Sequence, residues 1–274
     1  MHSTPLIDTH VHLDDDAFDP DRDEVIARAL HAGVEAFIVP AVERRHWPRI
    51  AGLCAARRGV FAAYGIHPLS VATHDAQDLS ALESWLQNHA AVAIGEIGLD
   101  GFHAESDLDR QRVFFHAQLQ IARRWALPVI VHGRRAFEEI VRTLRGMPGL
   151  RGVVHSFSGS PEQARQLWER GFYIGIGGPL TYPRAHRLRR LVAQMPLEYL
   201  LLESDAPDQP PVSRRGERNE PACVAEVIAC VAELRGEPVE TIAAACLDNA
   251  RRLFGPALTA DSPAFAAPSP RSKP

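Results

Sequence analysis

The chain has 274 residues, 46% of them hydrophobic and 23% charged, with a formal net charge of −4. Those values fit a soluble globular protein with a sizeable core and exclude a broad basic surface for tight duplex binding. No apolar run approaches the ~20 residues of a membrane span, so no membrane association is expected.

Other classes fall away on similar grounds. No basic start followed by an apolar stretch marks a secretory signal. Four cysteines, Cys54, Cys223, Cys230 and Cys246, show no C-x-x-C spacing. Reduced thiols packed as small apolar groups in a cytoplasmic protein are expected. Lys273 is the only lysine against many arginines, a bias of composition rather than of function.

In chain order, Leu6 to Thr9 reads as a first strand and Asp23 to His31 as a helix stopped by Gly33. Ala36 to Val39 is a strand and Trp47 to Arg57 a helix. Val60 to Tyr64 is a strand, followed by a helix over Leu79 to His89. Ala91 to Gly95 is a strand ending at Glu96, and Asp107 to Trp125 a long helix. Pro128 to Val131 ends at His132, and a helix follows over Ala136 to Leu144. Gly152 to Val154 ends at His155 and precedes a helix over Pro161 to Arg170, with proline in its first turn. Phe172 to Gly175 is a strand and Arg184 to Ala193 a helix. Tyr199 to Leu202 is the last strand, and helices over Pro221 to Leu234 and Val239 to Leu253 close the chain.

Eight such strand–helix units in about 250 residues predict a single α/β domain, a (β/α)₈ TIM barrel over residues 1–255. An open doubly wound sheet is the alternative. Residues 256–274 are Ala/Pro/Ser-rich. They are expected to be a disordered tail, dispensable for folding, because they carry too little apolar surface to offset ordering entropy.

Polar residues collect at the strand ends. The first strand leads into His10 and His12, with Asp8 one step behind and placed to orient one of the rings. His67, Glu96, His132 and His155 follow strands three to six, and Glu203 and Asp205 follow strand eight. In a barrel these ends converge on the face where active sites sit. Imidazoles and carboxylates without thiolate suit two divalent ions such as Zn²⁺, Mn²⁺ or Mg²⁺, with Glu96 placed to bridge them.

These motifs resemble the TatD family. The resemblance is carried by Asp8-Thr9-His10-Val11-His12-Leu13, Gly65-Ile66-His67-Pro68 and Ala93-Ile94-Gly95-Glu96-Ile97-Gly98-Leu99-Asp100. It continues in Pro128-Val129-Ile130-Val131-His132-Gly133-Arg134, His155-Ser156-Phe157-Ser158-Gly159, Glu203-Ser204-Asp205-Ala206-Pro207 and Asn249-Ala250-Arg251-Arg252-Leu253-Phe254. The family comprises metal-dependent deoxyribonucleases on a TIM barrel, related to amidohydrolases. The resemblance implies His10, His12, Glu96 and Asp205 at one metal and Glu96, His132 and His155 at the other. The pattern departs at Gly101-Phe102-His103, where an aromatic residue usually follows Leu99-Asp100. It also differs slightly at Gly133-Arg134-Arg135, where Arg134 is kept.

The expected activity is hydrolysis of DNA phosphodiesters, on single-stranded substrate and in an exonuclease-like manner, with no obligate protein partner. Glu96, Asp205 and Glu203 are the expected catalytic carboxylates, Asp205 taking the proton of the attacking water and Glu203 positioning water or substrate. His67, Arg134 and Phe157 are expected substrate contacts, with Arg214, Arg215, Arg218 and Phe102 as further candidates on the active face. Hydrolysis of another ester, amide or lactone is the alternative, and a metal-loaded nucleic-acid-binding protein is a third reading.

Overall fold

The computed structural model describes residues 4–102, 105, 107–256 and 258. Eight strands pair in parallel in sequence order: β1 (Leu6–Asp8), β2 (Val34–Pro40), β3 (Val60–Tyr64), β4 (Ala93–Asp100), β5 (Val129–Arg134), β6 (Gly152–Val154), β7 (Phe172–Ile176) and β8 (Leu200–Leu202). The ring closes past the strands proper. Thr9 donates from both its amide (3.1 Å) and its hydroxyl (2.9 Å) to Leu202 O, and Asp205 N donates to His10 O at 2.9 Å. This is the (β/α)₈ barrel read from the sequence, a single-domain fold.

The helices are α1 (Arg22–His31), α2 (Trp47–Ala56), α3 (Ala76–Leu86), α4 (Leu108–Trp125), α5 (Phe137–Arg145), α6 (Pro161–Trp168), α7 (His186–Gln194), α8 (Val224–Arg235) and α9 (Val239–Phe254). None is long and apolar enough to cross a membrane among the described residues. Helix α3 begins three residues before its expected start. Asp75 and Asp78 form a reciprocal capping box there, which satisfies two orphan amides. The expected tail over 256–274 lies, apart from 256 and 258, outside the described residues, as does His103 of the departing loop.

The core divides by strand parity. Phe37, Val39, Ile94, Val131, Val154, Ile174 and Leu202 face outward and join the helices in the larger apolar cluster. Ile38, Phe61, Ala63, Ile130, Val153, Tyr173 and Leu201 form the inner cluster with Leu253 and Phe254 of α9. Both faces are apolar, so the strands read as continuous hydrophobic runs rather than alternating ones.

Strand β4 departs most from expectation. It runs eight residues to Asp100 instead of ending before Glu96. Its pairing with β5 is irregular between Ile94 and Ile97. Before the irregularity Ala93 faces inward; after it Ile97 and Leu99 join the outer cluster, so Glu96, Gly98 and Asp100 face inward. The bulge therefore turns Glu96 toward the axis.

Asn249 staples α9 to the barrel: its amide donates to Leu197 O at 2.8 Å and Leu200 O at 2.9 Å, and the residue is 1% exposed. Asn249→Ala removes two hydrogen bonds: Leu200 O loses its side-chain donor, at roughly 1–3 kcal/mol, while Leu197 O keeps the Leu200 amide but loses one bond of about 1 kcal/mol. The expected loss is about 2–4 kcal/mol, read as a lower urea midpoint at unchanged slope. An unchanged midpoint would show that the staple contributes nothing.

Candidate metal centre

The inner side chains at the carboxyl ends of the strands meet at the base of a cavity of about 710 Å³. Glu96 lies at the centre, 2% exposed. On one side, His10 Nε2 and His12 Nε2 are 3.3 Å apart, and each faces Glu96 Oε2, at 3.3 and 3.8 Å. Asp205 Oδ1 completes this set, 3.4 Å from His10 Nε2 and 3.6 Å from His12 Nε2. On the other side, Glu96 Oε1 meets His155 Nε2 at 2.6 Å, His132 Nδ1 at 3.0 Å and His67 Nε2 at 3.4 Å.

These distances fit a cation. A tetrahedron with metal–ligand bonds of about 2.0–2.2 Å has edges of roughly 3.3–3.6 Å, close to the first set. Several lone-pair-bearing atoms held this near one another repel unless positive charge sits among them. Nδ1 of His10, His12 and His155 and Oε2 of Glu203 are buried with no hydrogen-bond partner among the described residues. The sets His10–His12–Glu96, His10–His155–Glu203 and His67–Glu96–His132 each bring ligand atoms within 4.8 Å of one another.

Protonation follows from this packing. Burial raises Glu203 to about 8 against the pull of His155, with Asp205 adding like charge. Burial likewise raises Asp205, although His155 and His12 oppose it. Burial alone would lower His155, but Glu96 outweighs it and carries His155 to about 10. Carboxyls held up by burial and mutual repulsion are relieved by a divalent ion, which inverts the local logic.

Two ring orientations can be read from hydrogen bonds. His132 Nε2 lies 2.9 Å from Asp100 Oδ2, so this nitrogen carries the proton and Nδ1 is left to ligate. His67 Nδ1 accepts from Leu69 N at 3.1 Å, so a neutral His67 carries its proton on Nε2 and presents a donor to Glu96 or to substrate.

The structure brings together His10, His12, Glu96, His132, His155, Asp205, Glu203 and His67, all expected at the site. Other residues fall elsewhere. Asp8 does not orient a histidine ring: its carboxylate accepts from Ser204 N (2.9 Å), Ser204 Oγ (2.5 Å) and His10 N (3.3 Å). The strand ends at Asp8, so the alternation expected to align it with His10 does not continue. Phe157 borders the cavity, but it is 2% exposed, packed in the apolar core with its ring 5.0 Å from that of Phe137, so little of it is open to a base. Arg218 pairs with Asp21 at 2.7 Å and Arg214 approaches Glu220 at 3.6 Å, so these two arginines brace the loop instead of facing substrate. Arg134 is exposed at the cavity mouth, its guanidinium 3.4 Å from the centre of the Phe102 ring.

Asp100 is the residue that sequence reasoning missed. It shares the inward parity of Glu96, so two-residue periodicity within the quoted motif could have found it. Ser156 and Gln209, which bond to each other at 2.8 Å beside Asp205, carried no sequence signal.

Parallel barrel, inward imidazoles and a central carboxylate define a metal-dependent hydrolase barrel. The pattern of the family described as TatD related DNase matches residues 7–255. The chain is 42% identical over 253 residues to an uncharacterized metal-dependent hydrolase, YjjV, of Escherichia coli strain K12, covering 91% of this chain and 97% of that one. The crystal structure of that TatD homologue superposes with a TM-score of 0.87 at 40% identity, over 91% of this chain and 97% of the other. A relative from Erwinia billingiae named 3'-5' ssDNA/RNA exonuclease TatD is 34% identical over 257 residues, covering 91% of this chain and 98% of its own. The chain belongs to the TatD family of metal-dependent hydrolases.

Glu203 reaches its position because β7 carries a glycine opposite it. A Cβ on Gly175 would lie 2.4 Å from Glu203 Oε2. Gly175→Ala is expected to displace Glu203 and to cost about 1–3 kcal/mol by overpacking, measured as a fall in melting temperature. An unchanged melting temperature would show that the carboxyl has room to move.

Proposed function

We propose that the protein hydrolyses phosphodiester bonds of single-stranded DNA, from a chain end, with two divalent ions bound on either side of Glu96. The observation that carries this reading is that each oxygen of Glu96 belongs to a different ligand set. His10, His12 and Asp205 would hold one ion and His132 and His155 the other, with Glu96 offering one oxygen to each set. When bound, the ions supply Lewis-acid stabilisation of an anionic phosphoryl group and lower the pKa of water.

The chain's own groups do the rest. Asp205 accepts the proton of the attacking water and passes it on. His67 Nε2–H donates to a non-bridging phosphate oxygen, and Arg134 pairs with a phosphate at the mouth. Its stack on Phe102 keeps that guanidinium extended beside the cavity. Glu203, buried below the ligands, holds Ser156 N at 2.5 Å and orders the base of the cavity. The name of the Erwinia relative supports a single-stranded nucleic acid and attack from the 3' end. Four free thiols, at Cys54, Cys223, Cys230 and Cys246, support a reducing, cytoplasmic setting.

Release of nucleotides from single-stranded DNA labelled at either end, run beside single-stranded RNA, esters and lactones, tests the substrate. Turnover of an ester or lactone without DNA cleavage would replace the reading. Glu96→Gln keeps the volume and removes the bridging charge. It is expected to reduce the ion count and to lower turnover of DNA by at least ~10²-fold, about 2.7 kcal/mol of transition-state stabilisation. His186→Gln, away from the site, should do neither. Two ions retained with near-normal turnover in Glu96→Gln would sink the bridging role.

Removing the ions should not unfold the barrel. Its apolar core is built independently of them, unlike that of a zinc finger. Circular dichroism in a strong chelator is expected to keep the native spectrum, and global unfolding there would contradict this.

A further inference from the structure

The two oxygens of Asp205 have different partners. Oδ1 faces Nε2 of His10 and His12, at 3.4 and 3.6 Å. Oδ2 accepts a short hydrogen bond from Gln209 Nε2. An ionised carboxylate only accepts, so the amide must present its NH₂ to it. The far end of that amide is also engaged, because Gln209 Oε1 accepts from Ser156 Oγ at 2.8 Å. One side chain thus links the segment after β6 to the segment after β8.

The backbone supports the same arrangement. Ser156, Asp205 and Gln209 have φ of 45°, 56° and 52°. Non-glycine residues rarely adopt this region, and they stay there only when their surroundings over-determine them. Gln209 is fixed in this way. Asn219 Nδ2 donates to Asp208 O at 2.8 Å and to Gln209 O at 3.4 Å, and Tyr182 donates to Pro210 O at 3.2 Å. Gly178 packs against the same stretch, where a Cβ would lie 2.2 Å from Gln209 O.

We propose that Gln209 is a positioning residue for Asp205, pinning Oδ2 so that Oδ1 alone is presented to the ion held by His10 and His12, with Ser156 holding Gln209 in turn. This rests on the two-ion reading of the site. An aspartate carboxylate otherwise rotates within a broad, roughly two-fold well. Rotation would let both oxygens reach the ion and fill a position that water and substrate need. Gln209 bonds to Asp205 only on the Oδ2 side, so its effect passes through that carboxylate.

The test is a manganese titration of the full chain by calorimetry. Gln209→Leu keeps about the same volume and removes both hydrogen bonds. It is expected to weaken the ion held by His10, His12 and Asp205 by ~10-fold or more, within the 10–100-fold range for residues that orient metal ligands. The ion at His132 and His155 should keep its wild-type affinity. Asp205→Asn identifies which binding event belongs to which set. Ser156→Ala should produce the same selective loss at smaller size, and it carries the test if Gln209→Leu does not fold. Wild-type affinity at both sets, or equal loss at both, would overturn the assignment. A chain that binds both ions but cleaves no DNA would refute the phosphodiester reading and leave this inference standing. A wild-type chain that binds no ion at His10 and His12 would refute both.

Discussion

The site depends on one carboxylate held where five imidazoles can reach it. Glu96 is buried, and burial alone would favour its neutral form; the surrounding histidines outweigh that and hold its pKa well below the usual carboxylate range. An uncompensated charge in this position would be costly. Glu96 therefore requires the histidines around it, and they require its charge. A metal ion among them would satisfy lone pairs that the protein alone leaves facing one another.

Backbone irregularity makes this possible. A regular β4 would carry the inward parity of Ala93 to Gly95 and point Glu96 at the helices. The bulge between Ile94 and Ile97 resets the parity, and Asp100 inherits the inward direction. Asp100 is itself fixed by Gln111, whose amide bonds both its N (2.8 Å) and its O (3.1 Å). Helix α4 thus holds the end of β4, and β4 in turn orients His132. A single local insertion supplies both the central carboxylate and the residue that sets a ligand's tautomer.

The closure of the barrel does similar work on the opposite side. Asp8 takes three hydrogen bonds, two of them from Ser204, so the first and last strand ends are locked where His10 and Asp205 must meet. Burial raises Asp8 to about 7, against the hydrogen bonds from Ser204 and His10 that favour its charge. Asn219 donates to Ser204 O at 2.7 Å and continues the lock into the loop that carries Gln209. Ser156, Asp205 and Gln209, all at positive φ, lie together beside the histidine cluster, as expected when a scaffold holds polar groups in positions that local preference would not choose.

Much of this was legible in the sequence, and the reason is periodicity. Apolar strand runs alternating with helical repeats, six of the runs leading into a histidine or acid, were enough to define eight units and a convergent face. Strand-end position also named His10, His12, His67, Glu96, His132, His155, Glu203 and Asp205 without knowledge of their contacts. Local spacing could not reveal partners far apart in the chain. The Asp8–Ser204 lock spans 196 residues and the Ser156–Gln209 bond spans 53. Nor could it show that Phe157 lies in the core or that Arg218 is already paired with Asp21, since both depend on what packs opposite. The bulge in β4 left no mark in an all-apolar run, where either parity looks alike. Sequence alone determined the barrel and the identity of its strand-end polar residues; tertiary structure decided which oxygen faces which nitrogen, because that is settled by contacts between strands and not along them.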